Sequence, residues 1–130
     1  MNKIEEEQLI KEIKRYRKEY PGNIPHPRIL LRFFNVNLHE YTHDNKSYIN
    51  VINEPSITVD KTATIEEQTY FATLLLPSLL LTSKRTEGPI YDLKDMSNDI
   101  EYKEICLNFA RDLLLGEHNL EEKRGKKNVR

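Results

Sequence analysis

From Lys3 to Tyr20 the chain sets Leu9, Ile13, Tyr16 and Tyr20 among charged residues, apolar positions spaced by three and four. That spacing predicts a helix over residues 3–19 with one narrow apolar stripe. Pro21 and Gly22 end it. In IPHPRILLRFF, Pro27 suits a first helical turn and His26 can cap it. Ile29, Leu30, Phe33 and Phe34 are the predicted inner face of this second, short helix. The period then falls to two. Val36, Leu38 and Glu40 fall on one side of an extended segment, with Asn35, Asn37 and His39 on the other. THDNKS supplies turn formers and YINVI is β-branched and aromatic, so the two segments are predicted to pair as a hairpin. SITVD follows as a third strand, with Ile57 and Val59 on one face.

Helical signals return at TATIEEQ. Thr64 and Glu67 stand three apart in the capping-box pattern, each able to satisfy the other's backbone amide. TYFATLLLPSLLLT is apolar almost all round, which predicts a buried central helix. Pro77 cannot donate to Thr73 and must kink or end that helix, at about 3 kcal/mol for an interior position. SKRTEGPIYDLKDMSND reads as a loop. A last helix is predicted from Ser97–Asp99 through IEYKEICLNFARDLLLG, with Ile105, Cys106, Phe109, Ala110, Leu113 and Leu114 as its face and Gly116 as its C-cap. The pattern is that of an α+β domain over residues 1–118, with residues 1–22 as a charged N-terminal helix. Residues 119–130 read as a basic, disordered tail.

A chain of 130 residues fits one domain, and 32% charged against 38% apolar residues is an ordinary soluble composition. The formal net charge of −1 leaves no broad cationic surface. Contact with nucleic acid is therefore expected only through the tail EEKRGKKNVR. Cys106 is the only cysteine, which excludes an internal disulfide and a cysteine-rich zinc knuckle. MNKIEEEQ has no secretory pattern, and the apolar run Tyr70–Leu81 is broken by Pro77 and Ser78. The expected location is the cytoplasm, away from membranes.

One motif offers chemistry directly. HEYTH matches the zinc-peptidase pattern H-E-x-x-H at His39, Glu40 and His43. On a helix, two histidines four apart reach one zinc ion, and the intervening glutamate acts as general base on the bound water. Glu66 or Glu67 is available as a third ligand. On a strand the two histidines would share a face but stand about 13 Å apart, too far for one ion. The alternating residues before His39 and the turn formers after His43 favour the strand.

EEQTYFATLLLPSLLLT, residues 66–82, resembles the active-site helix of the ImmA/IrrE metallopeptidase family, whose usual pattern runs E-E-x-R-F-T-x-A-H-E-L-G-H-L-L-L-H. PHPRILLRFFNVNLHEY is similar to the family's P-x-x-I-x-x-x-L-x-I-x-V segment, and SITVD to the edge strand before the helix. EICLNFARDLLLG is similar to its E-A-N-x-F-A-x-x-L-L-M-P helix. The resemblance spans residues 25–116. It implies a small zincin-like domain: N-terminal helices, a three-stranded sheet of hairpin plus edge strand, a central buried helix and a C-terminal packing helix.

The same alignment sets Leu74 and Ser78 at the two zinc histidines, Leu75 at the general-base glutamate and Ile105 at the third-ligand glutamate, with Glu104 one residue out of phase. Leucine and isoleucine neither ligate a metal nor move a proton. The resemblance therefore implies a catalytically degenerate member with no cofactor and an apolar plug where zinc would sit. Each such buried side chain contributes on the order of 1.5–3 kcal/mol. Active relatives act on repressors of mobile elements and on stress regulators. A degenerate one is expected to bind a protein partner, such as a transcriptional repressor or a phage or host factor. An alternative alignment lays EEQTYFATLLLP on the third-ligand helix. It makes the chain a zinc-dependent endopeptidase using His39, Glu40, His43 and Glu67.

Overall fold

SITVD, expected at the edge of the sheet, occupies its centre. In the computed structural model, which describes residues 3–22, 26–41, 48–50, 55–81 and 100–122, the strands are β1 (Asn37–Tyr41), β2 (Tyr48–Asn50) and β3 (Ser56–Asp60). Their order is β1-β3-β2. β1 runs parallel to β3, with Leu38 opposite Ile57 and His39 opposite Thr58. β2 runs antiparallel to β3, with Ile49 opposite Ile57 and Tyr48 opposite Thr58. The expected hairpin of NVNLHEY with YINVI is thus replaced. β2 turns back onto β3, and β1 reaches the far side of β3. The turn residues 42–47 and the end of YINVI lie outside the described residues.

Burial explains why β3 takes the centre. Ser56, Ile57, Thr58, Val59 and Asp60 are all buried, whereas β1 alternates between buried Leu38 and exposed Asn37 and His39. Successive residues of a strand point to opposite faces. One face of the sheet therefore carries Leu38, Ile57 and Val59, and the other Asn37, His39, Ser56, Thr58 and Asp60.

These strands belong to a unit formed by residues 25–98, with α2 (Pro27–Phe33), α3 (Ile65–Leu75) and α4 (Pro77–Leu80). α2 packs on α3 and β1, and α3 on β3. His26 caps α2 as expected, its Nδ1 accepting from the Arg28 amide at 3.2 Å. The inner face is shifted by one position from the sequence reading. Leu30, Leu31 and Phe34 are buried, and Ile29 is 44% exposed. A helix of two turns is oriented by its neighbours rather than by its own stripe. The capping box of α3 is present: the Glu67 amide donates to Thr64 Oγ1 at 3.1 Å and the Thr64 amide to Glu67 Oε1 at 3.4 Å. Gln68, buried, donates to the carbonyls of Asp60 and Ala63, fixing the turn between β3 and α3.

The break at Pro77 occurs where expected. α3 stops at Leu75 and α4 restarts at Pro77, with Leu76 at helical angles as the joint. The Leu76 amide is shared between the carbonyls of Ala72 (3.1 Å) and Thr73 (3.3 Å), giving Thr73 the partner that proline cannot supply. Upstream, Thr69 and Thr73 return their hydroxyls to the carbonyls four residues back, at 2.7 and 2.6 Å. That satisfies polar groups on a buried face.

Both chain ends form the other unit. It holds α1 (Lys3–Glu19) and α5 (Ile100–Leu115), which pack on each other. α1 buries Leu9, Ile13 and Tyr16 of the predicted stripe together with Glu6 and Ile10, while Tyr20, just past its end, is half-buried. α5 buries Ile105, Cys106, Phe109, Ala110 and Leu113, together with Tyr102 and Asp112, while Leu114 of the predicted face is only half-buried. The expected start of this helix at 97–99 lies outside the described residues. Gly116 closes α5 at φ 70°, its amide donating to the Asp112 carbonyl at 3.1 Å. Arg17 reaches the Leu113 carbonyl at 3.4 Å and the Pro21 carbonyl at 2.8 Å, tying the end of α1 to the end of α5.

The tail expected from residue 119 onward opens instead with a helical turn, 119–122. Asp112, 2% exposed, holds that turn through the Asn119 amide (2.8 Å), Asn119 Nδ2 (3.0 Å) and the Leu120 amide (3.0 Å). Its basic residues from Lys123 on lie outside the described residues. Among the described residues no helix is long and apolar enough to cross a membrane.

Candidate functional site

The positions singled out by the resemblance are core. Leu74, Leu75 and Ser78 are 5%, 2% and 1% exposed at the joint between α3 and α4, and Ile105 of α5 is fully buried. All four are apolar or small; within the unit of residues 25–98 the neighbouring Leu76, Leu79 and Leu81 are buried too, and Ile105 is buried within the unit of the chain ends. Glu104, one residue out of phase, is exposed. Leu74 and Leu75 are therefore placed to fill space, and a side chain with a charged head at either position would lose its hydration.

HEYTH does not begin as a helix. His39 and Glu40 lie on β1, on opposite faces of the sheet, so the turn-by-turn stacking that H-E-x-x-H needs is absent over residues 39–41. His43 lies outside the described residues. His39 is exposed and in register with Thr58, whereas the Glu40 carboxylate faces Arg28 Nη2 at 3.7 Å. Glu67, the third ligand of the zinc alternative, is held in the capping box, where Oε1 also accepts from Thr64 Oγ1 at 3.0 Å. Glu66 is exposed in the same turn. Among the described residues no three His, Cys, Asp or Glu side chains gather at one point.

Two cavities add residues that the sequence reading passed over. The first, about 280 Å³, lies within the unit of the chain ends and is lined by Ile10, Ile13, Lys14, Arg17, Asp112 and Glu121 among others. Its charges are matched internally. Lys14 bridges Glu121 at 2.8 Å, Arg17 is bound to two carbonyls, and Asp112 is saturated by the 119–120 turn. Tyr16, in the same helix, has its phenol pushed up to about 12, by burial first and by Tyr20 in lesser degree, with Arg17 opposing. That arrangement is structural.

The second cavity, also about 280 Å³, opens between α2 and the start of β1 and is lined by Arg28, Arg32, Asn35, Val36, Asn37 and Leu38. Arg28 and Arg32 stand four apart on one helical face, a like-charge pair that costs an isolated helix about 0.2–0.5 kcal/mol. Asn35, at φ 59°, folds the chain back from α2 into β1 and so brings the two asparagines beside the two arginines. The R-x-x-x-R spacing in PRILLRF is the sequence signal for this pair, set between the apolar residues of the same short helix. No known protein family, curated protein or solved structure matches the chain.

Proposed function

We propose that this chain is a regulatory protein-binding domain, a catalytically degenerate relative of the ImmA/IrrE metallopeptidases with a zincin-like scaffold. It acts by contact with a partner such as a transcriptional repressor of a phage or mobile element, or a host factor, in the cytoplasm. The observation that carries this reading is the burial of Leu74, Leu75, Ser78 and Ile105, the four positions that the resemblance assigns to zinc chemistry. A short helix, strands and a capped, buried helix follow one another along the chain, which supports the resemblance in element order though not in strand arrangement. The start of HEYTH on a strand supports this reading over the zinc alternative.

With the chemistry filled in by side chains that bury well, the surface is what remains to act. A partner held this way is sequestered or shielded, and leaves intact. The test is co-purification from cells carrying candidate repressors and phage regulators. An uncleaved partner retained in stoichiometric amount, equally by wild type and by His39→Ala, supports the reading. No retained partner, or a partner cut in a His39-dependent manner, refutes it.

A further inference from the structure

We infer that the cavity between α2 and β1 binds a carboxylate side chain on an acidic segment of a protein partner. Two guanidiniums and two amides line it beside the buried Val36 and Leu38, and among the described residues no carboxylate does. Among the described residues Glu40 is the acid in reach, at 3.7 Å from Arg28 Nη2, a long contact between partly exposed groups that leaves most of the donors unused. Arg32, Asn35 and Asn37 have no side-chain hydrogen bond or ion pair among the described residues. An arginine offers five N–H donors in a planar fork that matches a carboxylate bidentately, and each amide adds two more.

Size and charge select the ligand. At about 280 Å³ the cavity is small beside the roughly 300–1,000 Å³ of sites for drug-sized molecules, and it suits one or two side chains. A nucleic-acid backbone needs several cations in a row, whereas this site has two arginines on a chain of net charge −1. An aspartate or glutamate carried on a partner meets the donors with a single charged group and brings its own chain past the cavity mouth.

This site rests on the proposed function for the identity of its partner, and the experiment separates the two. Fluorescein-labelled hexaglutamate is titrated into the full chain and followed by anisotropy, with labelled hexalysine as the control. Arg32→Gln and Arg28→Gln are compared with Arg111→Gln, an exposed arginine on α5. The expected result is binding of hexaglutamate alone, weakened about tenfold by Arg32→Gln, lowered by salt and unchanged by Arg111→Gln. Circular dichroism checks that each variant is folded.

Absence of binding, or equal binding by wild type, Arg28→Gln and Arg32→Gln, overturns the inference. Displacement by inorganic phosphate at the same concentration as unlabelled hexaglutamate also overturns it, because the site would then serve a free oxyanion. A co-purified partner retained by Arg32→Gln sinks this docking site and leaves the proposed function standing. Arg32-dependent binding of hexaglutamate with no partner ever captured does the reverse.

Discussion

Leu75→Ala removes three carbons from a position that is 2% exposed and is flanked by buried Leu74 and Leu76. The loss combines the transfer energy of those carbons with the cavity they leave, which together run from about 2 to 5 kcal/mol in well-packed cores. Leu75 sits two residues before Pro77, where the helical ladder is already interrupted, so neighbouring leucines can relax into part of the space. The lower middle of that range, about 3 kcal/mol, is expected. For a chain of this size it corresponds to a fall in Tm of roughly 10–15 °C. Urea unfolding followed by circular dichroism measures it, with an unchanged m-value showing that the folded state stays compact.

Ile65→Ala, at a position 48% exposed on the same helix, is the internal control and should cost well under half as much. Leu75→Glu restores the residue type that the resemblance places there in active enzymes. A buried glutamate has its pKa raised, so this variant should be least stable at neutral pH and regain stability as the pH falls. A loss below about 1 kcal/mol for Leu75→Ala, or a Leu75→Glu variant as stable as wild type at pH 7, would refute the claim that the position is filled core.

Other outcomes follow from the same structure. Gly116→Ala forces a side chain into the left-handed region and brings its Cβ to 3.0 Å from Arg17 Nη2. It should cost about 1–2 kcal/mol in thermal unfolding. Thr64→Ala removes half of the capping box and should cost about 1 kcal/mol, whereas Thr64→Ser should be close to neutral. Tyr16, raised from 10.0 to about 12, must remain protonated in the fold. Its stabilisation is complete below pH 10 and is lost as the pH climbs toward 12, and Tyr16→Phe should flatten the stability profile in that window relative to wild type. Asp112→Ala strands three donors of the 119–120 turn and should expose residues 117–122 to protease before the rest of the chain unfolds.

Much of the fold was legible because the signals were local. The stripe of α1, the His26 and Thr64 caps, the break at Pro77 and the stop at Gly116 each rest on residues within a turn of one another, and each stands where the sequence put it. Strand pairing was misread because it is not local. A polar turn between two extended segments suggests a hairpin, but β3 can be covered on both faces and along both edges, whereas β1 has exposed Asn37 and His39 to leave at a rim. Asp112 was missed for a related reason. In sequence it is a charged residue bordering an apolar stripe, three after Phe109 and seven after Ile105, and only the later Asn119 and Leu120 amides give it buried partners. The Arg28–Arg32 cavity needed the turn at Asn35 to bring a helix face against a strand.

The most direct test of the proposal that this domain acts by contact, with core side chains where a peptidase would hold zinc, is the zinc content of untagged protein, purified without chelator from zinc-supplemented cells. Elemental analysis should find far less than one zinc per folded chain, at a level that His39→Ala with His43→Ala leaves unchanged. About one zinc per chain, lost in that double variant, would contradict the account and make HEYTH a working metal site.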